Sequence, residues 1–302
     1  MGKVTIMDVV VVGAGIAGLS CARALTEGGA RVRVVERGRV VGGRLASKRF
    51  EGRYADIGAA YFVADDPAFT AQVTSWESRG LARPWTDTFR VHPGGESSTG
   101  PMRWAASGGL RSLAVDLAQG LDVRLETPLA EVPEDADAVV LAMPGPQAVR
   151  LGPPPAIVAA AEAQAWQPVI AAVLTYPARA WDEFHGAFVN DHSVLATICD
   201  DGDRRGDGAP VLVAHSTPAL AAQHLDDPGA AGPILAGAVG ELFGLAEQPQ
   251  VHVHRWTYAQ PGSADAPYAV DGRVWLCGDA FGRPRVQTAW LSGRAVAQAL
   301  LG

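Results

Sequence analysis

Residues 13 to 18 read Gly13-Ala14-Gly15-Ile16-Ala17-Gly18, a GxGxxG turn whose spacing can grip a diphosphate. The first glycine permits a tight turn, the second lets backbone approach a pyrophosphate, and the third lets helix and strand pack closely. The N-terminus of the helix that follows attracts the anion. Further on stands Glu36, followed by Arg37; about 20 residues past the glycines is where an acidic side chain accepts hydrogen bonds from adenosine ribose hydroxyls. Such residues work only if local elements hold them. Met7 to Val12 (MDVVVV) is a β-branched run suited to a strand buried on both faces. LSCARALTEGG reads as the helix, stopped by Gly28 and Gly29, and Arg31 to Val35 (RVRVV) as the second strand. This complete βαβ context separates a dinucleotide site from a helix cap with accidental glycines.

Two more segments extend the pattern. Arg44 lies downstream of Glu36 in Val41-Gly42-Gly43-Arg44-Leu45. Near the other end, Arg273 to Ala280 (RVWLCGDA) is an apolar strand closing on Gly278-Asp279, and the helix QTAWLSGRAVAQALL then opens with Gln287, Thr288 and Ala289. In this order the segments resemble the glutathione-reductase-type flavoprotein superfamily. The resemblance implies that Gly43 and Arg44 serve the FAD diphosphate, and that Asp279 serves the ribityl or diphosphate region. It also implies that the last helix points its N-terminus at flavin N1 and O2. Reduced flavin carries negative charge there, which a helix N-terminus stabilises. Asp279 also has a simpler reading as a turn or helix cap.

Tyr54-Ala55-Asp56-Ile57-Gly58-Ala59-Ala60-Tyr61-Phe62 resembles the flavin-contacting segment of the renalase-like branch of the flavin amine oxidase superfamily. Met143-Pro144-Gly145-Pro146-Gln147, His215-Ser216-Thr217-Pro218 and the stretch from His254 to Pro261 follow in the same order. The resemblance implies oxidation of dihydro isomers of NAD(P)H by hydride transfer to flavin N5, with O2 as acceptor and H2O2 as product. Losing hydride turns a dihydropyridine into an aromatic pyridinium, so no protein base is required. The alternative is an amine oxidase or desaturase acting on a specialised metabolite. Many amine oxidases of the superfamily place a lysine near N5, whereas the only lysines here are Lys3 and Lys48. There is no second GxGxxG, so a nicotinamide is expected only as substrate. Asp207-Gly208, the nearest match to a hydroxylase motif, sits in the loop DDGDRRGDG.

On the substrate side the candidates are Tyr61, His215, Trp256 and Gln260, with Gly58, Ala59 and Ala60 left to the flavin. Tyr61 can lie over the substrate or pack as a core aromatic. Trp256 can stack on a pyridine ring and Gln260 can bind its carboxamide; core packing and a turn are their plainer roles. His215 ends a strand where the renalase-like branch has a pocket histidine, and a structural histidine is the competing reading. His252 and His254 share a strand face but lack partners at metal-site spacing, so no metal is expected. Arg283 and Arg285 are open to two readings, anion binding or solvated loop charge. Cys277 reads as a buried small residue, which makes the FAD noncovalent.

The surrounding chain is globular: 302 residues, 48% hydrophobic and 19% charged. Net charge is -7 and basic residues are scattered, which excludes a nucleic-acid footprint. The three cysteines are odd in number and set apart, as in a reducing compartment. Met1 to Asp8 lacks a leader pattern and Ile6 to Val12 is too short for a membrane span, so the expected location is cytoplasmic. The expected fold class is α/β (α+β overall), a Rossmann-type FAD domain with a second domain on a mostly antiparallel sheet. The FAD domain is expected to be discontinuous, at 1–75, 100–150 and 265–302, with the substrate domain at 76–99 and 151–264. Expected strands include Val169 to Tyr176, Val211 to His215 and Val251 to Thr257; expected helices include Gly108 to Leu117, Ile157 to Ala165 and Ile234 to Phe243.

Overall fold

The computed structural model of the protein describes residues 6–50 and 52–302; Lys3 and most of the segment read above as lacking a leader lie outside them. The valine run forms β1 (Asp8–Val12), the glycine turn opens α1 (Ile16–Glu27), and β2 (Arg31–Val35) returns parallel to β1 with Val9 opposite Val32. A hairpin follows, β3 (Ser47–Phe50) and β4 (Arg53–Asp56), then α2 (Pro67–Ser78) and the long pair β5 (Ala82–His92) and β6 (Ser97–Ala106). Next come α3 (Arg111–Ala118), β7 (Asp122–Arg124), β8 (Ala138–Leu141), α4 (Gly145–Val149) and α5 (Pro155–Glu162). The substrate-side strands are β9 (Gln167–Thr175), β10 (Gly186–Val189), β11 (Leu195–Asp200) and β12 (Val211–Ser216), with α6 (Asp201–Arg205) between the last two. The chain closes with α7 (Pro218–Gln223), α8 (Ala231–Phe243), β13 (Gln250–Gln260), β14 (Ala269–Asp271), β15 (Val274–Leu276) and α9 (Val286–Leu301).

Two sheets carry the architecture. The first, in the order β14-β15-β8-β1-β2-β7, is parallel except at the β14-β15 edge. Its central strands β1 and β8 are buried on both faces, by α1, α3 and α9 on one side and α4 and α5 on the other, which explains the unbroken valine run. The second, β13-β9-β12-β11-β10-β5-β6, is antiparallel except where β10 meets β5. Alternation along β9 divides its residues: Ile170, Ala172 and Leu174 pack outward with α7 and α8, while Ala171 and Val173 face the β3-β4 segment. The inward residues are small, so the substrate sheet lies close over the segment that leads to Gly58.

Three sequence expectations need adjustment. The boundary at residue 100 falls inside β6, which pairs with β5 from Ala82 opposite Ala106 to Arg90 opposite Ser97; the whole hairpin therefore extends the substrate sheet. The helix expected to reach Ala165 ends at Glu162, because Ala165 adopts a left-handed φ of 45° as the chain turns into β9. The DDGDRRGDG run is not an open loop: it contains α6, with Asp200, Asp201 and Arg204 buried. Among the described residues no helix is long and apolar enough to cross a membrane.

Candidate functional site

The cradle is assembled locally. Gly13 has φ +109°, and a Cβ there would stand 2.5 Å from the Ala142 carbonyl oxygen, so the turn between β1 and α1 requires glycine. No side chain caps α1 at Gly15, and the space a Cβ would fill at Gly15 is open. The free amides at this helix start face that space, which suits a diphosphate. Ile16, Ala17 and Gly18 form the buried first turn. Glu36 accepts from the Ala14 amide through Oε2 at 2.9 Å and from the Gly38 amide through Oε1 at 2.7 Å, so its carboxylate is held at the strand end. Arg37 and Gly43 are exposed at the rim.

The two ends of the chain meet at an ion pair. Arg44 Nη1 and Nη2 donate to Asp279 Oδ2 and Oδ1 at 2.6 and 2.5 Å, across 235 residues of sequence, and Nη1 also reaches the Ala259 carbonyl at 3.0 Å. The sequence reading sent both side chains to the cofactor; in the structure each faces the other, and the pair ties the GGR turn to the Gly-Asp turn. Gly278 is fixed beside it through its amide, which donates to Ser292 Oγ at 3.0 Å. At α9, no side chain caps the N-terminus at Arg285. The Gln287 side chain accepts from the Asp65 and Asp66 amides at 2.8 and 3.1 Å, and Thr288 Oγ1 donates to the Arg283 carbonyl. Their side chains are thus spent on anchoring, which leaves the amides of residues 286–288 as donors, while the buried Ala289 donates its own amide to the Arg285 carbonyl at 3.2 Å. Arg285 pairs with Asp65 at 2.7 Å, which ties the loop before α9 to the start of α2.

Above the cradle, Gly58 packs so tightly that a Cβ would overlap the Arg44 carbonyl, and Ala59 donates its amide to that carbonyl at 2.9 Å. The turn Gly58-Ala59-Ala60 is held from the other side by Arg204. This fully buried guanidinium donates to the Ala60 carbonyl at 2.7 Å and the Asp56 carbonyl at 3.2 Å while pairing with Asp201. Burial works against the Asp201 charge, but Arg204, Arg53 and Arg205 outweigh it and hold the carboxyl below its usual range. Sequence reasoning missed this clamp. Its signal was the acidic run followed by an arginine pair in DDGDRR, whose partners lie about 150 residues away in the chain.

The inner face of the substrate sheet completes the site. Tyr61 sits edge-on to Phe89 at 5.4 Å, and Phe89 packs on Phe188 at 5.1 Å. His215, opposite Thr197 and Ala171, lies on the same face, with Nδ1 3.4 Å from Thr197 Oγ1 and a buried, unpartnered Nε2. Burial, reinforced by the charge of Arg204, pushes its pKa down to about 4, so it is neutral at pH 7. Trp256 donates Nε1 to the Ile57 carbonyl at 2.7 Å and so braces the segment leading to Gly58. Gln260 is exposed at the end of edge strand β13, opposite Gln167, and is not brought to Tyr61 and His215. The bulge between Trp256 and Gln260 is the reason, since it turns the strand end outward.

Cys277 is buried and its thiol is pushed up to about 12 by desolvation, so it stays protonated. Among the described residues no group of three metal-ligating side chains occurs. Two outer cavities, of about 650 and 190 Å³, lie where the β3-β4 hairpin meets β13, lined by Phe50, Gln250 and His252; they contain none of the cradle residues.

Residues 11–75 match the profile described as NAD(P)-binding Rossmann-like domain, and residues 80–301 match that of flavin containing amine oxidoreductase. The chain belongs to the flavin-containing amine oxidoreductase family. Its cofactor is FAD, and the uncapped helix starts and open glycine cradle fit it. A member from Siganus canaliculatus, an L-amino-acid oxidase, is 46% identical over 63 residues, which are 20% of this chain and 12% of that protein. A putrescine oxidase from Kocuria rosea is 40% identical over 90 residues, 30% of this chain and 17% of its own length. Among solved structures, a putrescine oxidase redesigned in its cofactor binding has a TM-score of 0.78 at 17% identity, covering 97% of this chain and 98% of its own. Cyclohexylamine oxidase from Brevibacterium oxydans IH-35A has a TM-score of 0.73 at 15% identity, covering 98% and 99%. At these identities the likeness establishes the fold.

Proposed function

We propose that this family member oxidises a small hydride donor whose oxidation needs no proton abstraction, with dihydro isomers of NAD(P)H as the substrate class and O2 as the electron acceptor. FAD, when bound, accepts the hydride at N5. The observation that carries the reading is that, among the described residues, the histidines paired across the wall beside Ala171, His215 and His254, both have their proton affinity lowered by burial. Lys48 stands exposed on β3 with Nζ 5.7 Å from the Phe50 ring centre, and the wall histidine, His215, is held neutral with little affinity for a proton. A dihydropyridine loses hydride to become an aromatic cation, so its electrons leave as a pair and no side chain has to take a proton. Tyr61 and Phe188, backed by the buried Phe89, supply flat apolar surface that orients such a ring and excludes water. Arg204 and Trp256 position the Gly58 turn against which the ring rests. The electron pair then passes to O2 with two protons, forming H2O2. The three buried free thiols favour a reducing, cytoplasmic setting.

A second reading, amine oxidation, is favoured by the family match over residues 80–301. Anaerobic mixing separates the two. Bleaching of the flavin absorbance by 6-dihydro-NAD(P), fast relative to NAD(P)H and putrescine, is expected; bleaching by putrescine or another amine alone would overturn the proposal in favour of the second reading.

A further inference from the structure

One charge on the substrate wall has no counter-charge. Arg103, on β6, is 5% exposed, yet no carboxylate pairs with it among the described residues. Its guanidinium carbon lies 4.2 Å from the Phe89 ring centre, 5.4 Å from Tyr61 and 5.6 Å from Phe188, so it is set into the aromatic cluster that faces the Gly58 turn. Nη1 donates to the Asp87 carbonyl at 2.7 Å, whereas Nε is buried without a partner. The edge formed by Nε and Nη2 is the one that takes two coplanar oxygens in a fork-to-fork contact. Gly100, exposed on β6, flanks this edge, and a Cβ there would stand 3.5 Å from Nη2.

Taking an arginine out of water without an anion costs several kcal/mol in a typical protein interior. Stacking on aromatic rings returns about 2 kcal/mol or less per contact, and one carbonyl satisfies only one side of the fork. The other buried arginine of this region, Arg204, is treated differently: Asp201 and two carbonyls saturate it. The contrast is between an arginine saturated within the fold and one whose buried Nε is left without a partner.

We propose that Arg103 is a substrate-binding residue, its free edge receiving an anionic oxygen pair, carboxylate or phosphate, on a molecule whose planar ring lies among Tyr61, Phe89 and Phe188. This deepens the functional proposal and rests on its reading of that sheet face as the substrate wall. It also sets a charge rule: an anionic or zwitterionic substrate is accepted, and a purely cationic amine is repelled.

The test is binding to the oxidised, FAD-loaded protein, followed through the flavin absorbance spectrum, so it needs no turnover. The probes are nicotinate, nicotinamide mononucleotide, nicotinamide and benzylamine. An anion gained by a charge-assisted bidentate contact is expected to bind about tenfold or more tightly than neutral nicotinamide. Preference for nicotinate assigns the site to a carboxylate, preference for the mononucleotide to a phosphate, and benzylamine is expected to bind weakest. Arg103→Met should erase the anion preference and Arg103→Lys should keep part of it, with FAD content and melting temperature recording that each variant is folded. If neither anion outbinds nicotinamide in the wild type, if benzylamine binds best, or if folded Arg103→Met keeps the preference, the proposal is wrong. An intact anion preference alongside flavin that dihydronicotinamides fail to bleach would sink the dihydropyridine reading and leave Arg103 in place.

Discussion

In the cradle, Gly13, Gly15, Gly18, Glu36 and Arg44 come from one βαβ unit and the turn after it, and what the cradle offers a ligand is mostly backbone amides. In the wall, Tyr61, Phe89, Arg103, Phe188 and His215 come from separate strands and a turn, and side chains do the work. The cradle therefore tolerates almost any side chain that leaves its glycines and helix starts alone. The wall depends on registers set far away in the chain, so its chemistry can change while the cradle stays constant. The two regions share one joint: Arg204, which belongs to the wall, grips the carbonyls of the turn that belongs to the cradle.

Breaking that joint should have the largest effect. Arg204→Met leaves Asp201 buried with fewer partners and frees the Ala60 and Asp56 carbonyls; removing one member of a buried pair costs about 3–5 kcal/mol. For a chain of this size the melting temperature should fall by roughly 10 °C, measured by calorimetry with and without FAD. A shift of similar size in both conditions would show that the clamp acts through the fold rather than through the cofactor.

Acidification sharpens the comparison, since it acts on the wall first. His215 has its pKa lowered from 6.5 to about 4, so the unfolded chain takes up a proton before the folded one does. Stability from the neutral form is present above about 6.5 and is lost as pH falls toward the folded value, an effect of up to about 3 kcal/mol. Denaturant unfolding of the wild type between pH 7 and 4 should show this slope, and His215→Asn should flatten it. A variant with an unchanged slope would place the titrating group elsewhere.

Damage confined to the cradle should be smaller and specific to FAD. Glu36→Ala removes the acceptor for the Ala14 and Gly38 amides that shape the cradle, and hydrogen bonds to a carboxylate are worth about 1.5–3 kcal/mol. FAD affinity should drop about tenfold or more in a fluorescence titration, with anion preference at the wall intact. Smallest of all, Trp256→Phe loses only the bond to the Ile57 carbonyl, about 1 kcal/mol, visible as a few degrees in melting temperature.

The cradle was legible because its physics is local. A β-branched strand, a glycine turn and a carboxylate at the next strand end are all read within one supersecondary unit. The same holds for the Gly-Asp turn and for α9, although their meeting with Arg44 was legible only as a shared resemblance; the ion pair itself was not. The wall was opaque because Arg103 and Arg204 take their meaning from partners in other strands. Arg103 sits in an edge strand of mixed polarity, SSTGPMRWAA, with nothing to distinguish it from a surface arginine. Gln260 stands exposed for a related reason. Strict alternation along β13 would carry it to the face of Trp256, and the bulge between them cannot be seen in residue types.

The account stands on a noncovalent FAD gripped between the chain's two ends, and stoichiometry measures that directly. Purified protein should carry one FAD per chain, released intact into the supernatant when the protein is precipitated with acid, and Asp279→Ala should lower the retained fraction by uncoupling the Gly-Asp turn from Arg44. Protein that neither carries nor takes up FAD, or flavin that stays with the acid-precipitated chain, would contradict it.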